Sequence, residues 1–281
     1  MNNSGRYLNH TASAHPQQKN QPPSHDVGYL WVLFSVCTIF LLLMKEGVNN
    51  AYFWQINQAG QHFSPELLAS ITDMGNGVVT GSILVIILCF KPNWILRAIL
   101  AAIICLILTH FLKSYFDASR PAALLTQINI IGDARYSKSF PSGHTATIFL
   151  LASIAFLSST RRLSRIFFVA LATLVGLSRI AVGAHWPIDV ALGAIIGWSS
   201  IYLAMLVCKT ENLSSSSQFM ILSSLLLLLS CLNMLNQNEF PLLPIVDSLQ
   251  KLYLVSAATF VCLSYISYRS TKERQKMLRI N

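Results

Sequence analysis

Long apolar runs separated by short polar segments dominate this chain. Eight stretches approach the roughly 20 apolar residues that a helix needs to cross a bilayer. They are Tyr29–Met44, Gly77–Phe90, Ile95–Leu112, His144–Ser159, Leu163–Ala181, Pro187–Val207, Phe219–Leu235 and Tyr253–Tyr268. The second is short. Ser64-Pro65-Glu66 reads as a helix start, which places an earlier beginning near Leu67. The pattern predicts an all-α, polytopic membrane helix bundle.

Composition supports that class. The chain has 281 residues, of which 53% are hydrophobic and 11% charged, and its mean hydropathy is +0.53. Soluble domains carry about 25% charged residues. The net charge of +9 does not point to nucleic acid, because no basic stripe alternates with exposed aromatic residues. The six cysteines, Cys37, Cys89, Cys105, Cys208, Cys231 and Cys262, lie in or beside apolar runs without CxxC spacing. They read as small buried hydrophobes rather than metal ligands or a disulfide framework. Residues 1–26 are polar and lack the apolar core of a signal peptide, so they read as a flexible cytoplasmic tail.

Where the cations sit gives an orientation. Eight crossings place both termini on one side. With the termini cytoplasmic, thirteen of the twenty Lys and Arg residues lie inside and seven outside. Three of those seven, Lys113, Arg120 and Arg179, belong to the motifs below. By the positive-inside rule the termini are cytoplasmic. The segment 113–143 and the turn 179–186 then share the extracytoplasmic face, which is periplasmic in a double-membrane bacterium. The bacterial inner membrane is the expected location, and the bilayer the expected surroundings.

Three polar clusters interrupt the apolar pattern, and ionisable groups near spans are functional candidates by default. Lys113 and Arg120-Pro121 follow the third span; alone, they read equally as a snorkelling lysine and a loop arginine. Pro141-Ser142-Gly143-His144 opens the fourth span. Pro and Ser there are ordinary capping residues, yet free N–H groups at a helix start also bind anions, and Gly lets the backbone approach closely. Ser178-Arg179 precedes His185 and Asp189, which are four residues apart and so neighbours on a helical face. A carboxylate there fixes the imidazole tautomer and frees the second nitrogen. An Asp–His pair also suits a metal. No further ligands stand at matching spacing, however, and three cations crowd the same face, so the anion reading is favoured and neither metal nor cofactor is expected. Together the clusters supply what phosphoryl transfer needs: charge neutralisation, nucleophile, acid and orienter. The residues alone leave open which histidine attacks. Asp189 four residues after His185 favours His185, and the place of His144 at the anion-binding turn favours acid duty.

These motifs resemble the type 2 phosphatidic acid phosphatase superfamily, whose site plan is shared with vanadium haloperoxidases. The family pattern Lys-x6-Arg-Pro, Pro-Ser-Gly-His, Ser-Arg-x5-His-x3-Asp is matched by Lys113, Arg120 and Pro121; Pro141, Ser142, Gly143 and His144; Ser178, Arg179, His185 and Asp189. The resemblance covers roughly residues 29–207. It implies a six-helix membrane phosphatase core over 27–210. Residues 211–281 add two further transmembrane helices and a basic cytoplasmic tail, for which simple packing is the leading reading. It also implies His185 as nucleophile through a phosphohistidine, Asp189 as its orienter and His144 as acid and then base. Lys113, Arg120, Ser142, Gly143 and Arg179 would hold phosphate. The expected substrate is a membrane lipid phosphate or diphosphate, with undecaprenyl diphosphate, phosphatidylglycerophosphate, phosphatidate and lipid A phosphate as headgroup candidates. A phosphotransferase acting on a lipid or sugar acceptor is the first alternative. A transporter or interaction protein on the same fold is the second.

Smaller features have bland readings. Gly193 and Gly197 form a GxxxG, read as packing within the core or else as a homodimer contact. His62, Asp73 and Asn76 read as ordinary loop polarity. Arg135 and Lys138 lie in a segment expected to cap the site.

Overall fold

The computed structural model describes residues 26–209, 213–235 and 238–278, with side chains to residue 270. The polar tail before Asp26 and the Glu211 linker lie outside the described residues, as do the side chains of the basic C-terminal segment after residue 270. Among the described residues eleven α-helices follow one another: α1 Val27–Leu43, α2 Val48–Gly60, α3 Pro65–Asp73, α4 Gly77–Phe90, α5 Ile95–Phe116, α6 Pro121–Leu124, α7 Gly143–Ser158, α8 Arg162–Ala181, α9 Pro187–Val207, α10 Ser215–Leu235 and α11 Pro244–Leu278. No strand occurs among the described residues.

Five helical stretches among the described residues are long and apolar enough to cross a bilayer alone: Pro92–Leu124, α8, α9, α10 and the first 27 residues of α11. Two more candidates are bent pairs, α1 with α2 at 106° and α3 with α4 at 55°, and α7 is a shorter apolar helix. Each of the eight apolar runs thus corresponds to a helix. Helix α2 was not legible, because its Asn49, Asn50, Gln55, Asn57 and Gln58 break the apolar run. Helix α3 begins where the Ser-Pro-Glu signal puts it, with Ser64 Oγ accepting from Leu67 N at 3.2 Å. Helix α11 starts at Pro244, about two and a half turns before the apolar run.

Helix α7 is the central element; nearly all its residues from Thr145 to Phe156 are buried, between α5, α8 and α9. The contact with α9 is backbone to backbone. A Cβ at Gly193 would lie 2.5 Å from Ser142 O, and one at Gly197 2.1 Å from Ala146 O. Only glycine permits this approach. The GxxxG face is therefore spent inside the chain. Farther along α9, Trp198 stacks on Tyr29 of α1 at 4.8 Å and donates to Tyr29 O at 3.1 Å, while Tyr29 donates its hydroxyl to Trp198 O. Among the six cysteines, Cys105 is buried, Cys37, Cys89 and Cys208 are partly buried, and Cys231 and Cys262 face outward, so the all-buried expectation holds fully for one residue. Their helices, α10 and α11, pack on the bundle along one side, which leaves their other side for lipid.

The bundle has two chemically distinct ends. At one, Asp26 pairs with Arg165 at 2.7 Å and Arg97 donates to Cys208 O at 3.1 Å. At the other lie the end of α5, the starts of α7 and α9, and the end of α8. We expect Gly197→Val to destabilise the protein by about 2 kcal/mol or more, since no rearrangement short of separating α7 from α9 accommodates the side chain. Thermal unfolding in detergent measures this. Gly77→Ala, where nothing lies within 4 Å, is the control and should stay near the parent.

Candidate active site

The close approach of α7 and α9 brings their N-termini side by side, and Ser142 N donates to Asp189 O at 2.9 Å. Ser142 caps α7, its Oγ accepting from Thr145 N at 3.4 Å and from Thr145 Oγ1 at 2.9 Å. Gly143 follows in the first turn; a Cβ there would lie 3.8 Å from Lys113 Cε. The N-terminal end of α7, with its unpaired N–H groups, thus opens beside the Lys113 side chain.

His185 and Asp189 meet as their spacing implies. Asp189 Oδ2 accepts from His185 Nδ1 at 3.3 Å, from Trp186 N at 2.9 Å and from Ser139 Oγ. Nδ1 therefore carries the proton, and Nε2 keeps its lone pair. Both residues are buried. The turn that carries His185 folds back on the end of α8, with Ala184 N and His185 N both donating to Arg179 O, at 3.1 and 3.2 Å. Burial and then the neighbouring Arg120, Arg179, Lys113 and His144 push the His185 pKa well below the usual imidazole range. Those four neighbours are the residues that three distant motifs contribute, so the structure gathers them around His185.

The cations are held mainly by backbone oxygens. Lys113 Nζ donates to Lys138 O at 2.8 Å. Arg120 donates through Nε to Ser137 O at 3.0 Å and through Nη1 to Ala184 O at 3.1 Å. Carbonyl partners fix position without neutralising charge. The segment 125–141 is tied to the helix ends around these residues by Arg120 N donating to Tyr136 O and Ile131 N to Val182 O. His144 Nε2 and Arg179 Nε are buried with no hydrogen-bond partner. Among the described residues no group of three His, Cys, Asp or Glu side chains could hold a metal.

Four contributors escaped the motif reading. Ser139 is buried and anchors Asp189. Asn57 of α2 accepts from Asn129 N at 2.8 Å and donates to Ala181 O at 3.1 Å, clamping the end of α8 to the covering segment. Asp73 is not loose loop polarity: it is buried at the end of α3 and accepts from Gln250 of α11 at 2.9 Å. Glu239, between α10 and α11, places Oε2 at 3.0 Å from Arg179 Nη1 and 3.6 Å from His144 Nε2. Its one sequence signal is weak: with Asp247 and Lys251 it is one of three charged residues between the last two apolar runs.

The PAP2 superfamily model matches residues 94–213. The crystal structure of Aquifex aeolicus LpxE superposes with a TM-score of 0.52 at 31% identity, covering 57% of this chain and 96% of that one. This chain belongs to the PAP2 superfamily. It is also 33% identical over 103 residues to the bacitracin transport permease protein BcrC of Bacillus licheniformis, a match that spans 37% of this chain and half of BcrC. An undecaprenyl-diphosphatase of Sulfolobus acidocaldarius is 24% identical over 201 residues, 68% of this chain and 97% of that protein. With its apolar helices and membership of this superfamily, the chain is a multi-pass membrane protein. The matched region ends before α10, so the last two helices and Glu239 lie beyond the family's shared core.

The depressed pKa of His185 has a spectroscopic consequence. Its charged form is disfavoured, so protonation requires a pH well below the 6.5 of free imidazole. Nitrogen spectra of histidine-labelled protein should show His185 neutral and Nδ1-protonated at pH 6. A titration centred near 6.5 would contradict the buried geometry.

Proposed function

We propose that this chain is a metal-independent lipid phosphatase working through a phosphohistidine at the extracytoplasmic membrane face. The observation that carries this reading is the imidazole of His185, oriented by Asp189 and surrounded by Lys113, Arg120 and Arg179. His185 Nε2 attacks phosphorus in line. The bond from phosphorus to the lipid oxygen breaks, its electron pair goes to that oxygen, and His144 supplies the proton. Water then attacks phosphorus, His144 takes the water proton, and the phosphorus–nitrogen bond breaks with its electron pair returning to His185 Nε2 as inorganic phosphate leaves. Lys113, Arg120 and Arg179 offset the charge on the equatorial oxygens, joined by Ser142 and the Gly143 N–H at the start of α7. Asp189 stabilises the imidazolium character that develops as His185 bonds to phosphorus.

A lipid substrate is supported by the surroundings of the site. Between α1, α2, α8 and α9 runs an apolar cavity of about 560 Å³, bordered by Val36, Leu43, Tyr52, Leu177 and Pro187. Pro187 is two residues from both His185 and Asp189, so a chain lying in this cavity carries its headgroup toward the nucleophile. The undecaprenyl-diphosphatase among the relatives supports a polyprenyl diphosphate as the first substrate to assay, followed by phosphatidylglycerophosphate, phosphatidate and lipid A phosphate. The cation distribution supports cytoplasmic termini.

Purified protein in excess EDTA should release phosphate from at least one of these lipids and be inhibited by vanadate, which mimics the transition state. His185→Ala should abolish release, and Asp189→Asn should lower kcat by about two to four orders of magnitude through lost tautomer control. Near-normal rates in either variant would refute the assigned roles. Label appearing on a second lipid instead of as free phosphate would identify a phosphotransferase, and no release from any lipid would favour transport or a binding role.

The cavity makes its own prediction. Leu177→Trp fills part of it without touching the charged cluster. It should lower kcat/KM for a long-chain lipid phosphate several-fold while sparing a short soluble phosphate ester. Equal effects on both would separate the cavity from substrate binding.

A further inference from the structure

The two C-terminal helices do more than pack, because the loop joining them enters the phosphate site. Glu239 is 16% exposed by side chain, and its carboxylate accepts from Arg179 Nη1 at 3.0 Å, meets Arg135 Nη1 at 3.2 Å and faces His144 Nε2 at 3.6 Å. Lys113 and Arg120 face carbonyl oxygens and not a carboxylate, and Asp189 is committed to His185, Trp186 and Ser139. Glu239 is thus the anion that answers Arg179. It does so from the side where a substrate phosphate would take the same donors, next to the buried and unpartnered Arg179 Nε and His144 Nε2.

The loop is built to hold the carboxylate there. Glu239 O accepts from Asp133 N at 2.9 Å, and a Cβ at Gly132, whose φ is +88°, would lie 2.5 Å from that oxygen, so the covering segment and the loop touch backbone to backbone. Phe240 is buried beside Ala69 and Val246. Gln250 of α11 donates to both oxygens of Asp73, at 2.9 and 3.0 Å. The backbone is therefore anchored on three sides, and what remains free to move is the Glu239 side chain. Arg135 gives it somewhere to go. That guanidinium is half exposed at the rim, so the carboxylate can leave Arg179 and keep an ion pair.

We propose that Glu239 is a tethered competitor for the phosphate subsite: its carboxylate takes the place on Arg179 and beside His144 that a phosphoryl oxygen occupies, and an incoming phosphate displaces it toward Arg135. This rests on the phosphatase reading of the same site. Two anions cannot share Arg179 at these distances without strong repulsion. Burial by itself would raise the Glu239 carboxyl, but Arg179, His144 and Arg135 together outweigh it and hold it well below the usual carboxylate range. It therefore competes as a full charge at every pH at which the enzyme would work. A dianionic phosphate wins because it brings more charge to the same cations and satisfies Arg179 Nε as well.

Vanadate binding, measured by calorimetry on the full chain in detergent, tests this without relying on turnover. Glu239→Gln keeps the side-chain shape and removes the charge, and it should bind vanadate about tenfold more tightly than the parent, roughly the gain expected from losing one charged competitor. Glu239→Asp keeps the charge but withdraws it by one methylene, and should also tighten binding; it stands in if the Gln variant fails to fold. KM for the lipid phosphate should fall in parallel. Unchanged or weaker vanadate binding in both variants would overturn the proposal while leaving the phosphatase reading intact. So would a collapse of kcat at unchanged vanadate affinity, which would make Glu239 a positioning residue for His144. Failure of parent and variants alike to bind vanadate would instead refute the phosphate site itself.

Discussion

The contact on which this protein's chemistry depends holds no side chain at all. Gly193 and Gly197 let α9 lie directly on the backbone of α7. In a bilayer, where apolar surface gains little by leaving lipid, such close approach supplies van der Waals contact that larger residues cannot. Its geometric result is that two helix starts lie together, one formed by Ser142 and Gly143, the other presenting Asp189. The hydrogen bond from Ser142 N to Asp189 O joins the two. Everything else in the site is arranged around that junction.

Around it the protein balances charge with backbone rather than with counter-ions. Arg120 and Lys113 donate to peptide carbonyls, which hold a cation in place yet leave its field available to a ligand. Asp189 is surrounded by three donors on one oxygen, so it orients His185 instead of forming a salt bridge with a cation. A cluster built this way is electrostatically expectant, since its most favourable completion is a multiply charged anion. The exception is Arg179, which faces a carboxylate from outside the core shared with the superfamily. That exception gives the last two helices a connection to the chemistry that their packing alone does not require.

The covering segment shows the same economy of means. Residues 125–141 contain no long helix, yet they are tied to the bundle by Asn57, Arg120 and the end of α8. This segment presents Ser139 to Asp189, Lys138 O to Lys113 and Ser137 O to Arg120. Precision at the site thus comes from a loop whose backbone carbonyls at Ser137 and Lys138 meet the cations directly.

Much of this was legible in the residues themselves. Apolar runs marked eight of the helices, five of them in stretches long and apolar enough to cross a bilayer alone, because a bilayer demands continuous apolarity over a fixed length. The four-residue step from His185 to Asp189 revealed their bond because helical geometry is local. The motif residues also announced their meeting, since isolated charges beside a membrane are too unfavourable to stand without partners. Helix α2 stayed hidden because its polar face packs on α8 and α9 and serves backbone groups there instead of meeting lipid. Ser139, Asn57 and Asp73 stayed hidden because a single Ser, Asn or Asp carries no periodic signal, and its role depends on which distant backbone or side-chain group it meets. Glu239 is the clearest case. Its sequence neighbourhood is an ordinary interhelical turn, and only the docking of α10 and α11 against α4 and α3 brings its carboxylate to Arg179. Local geometry and the solvent decide what a sequence declares openly; long-range packing decides which lone polar residues reach the site.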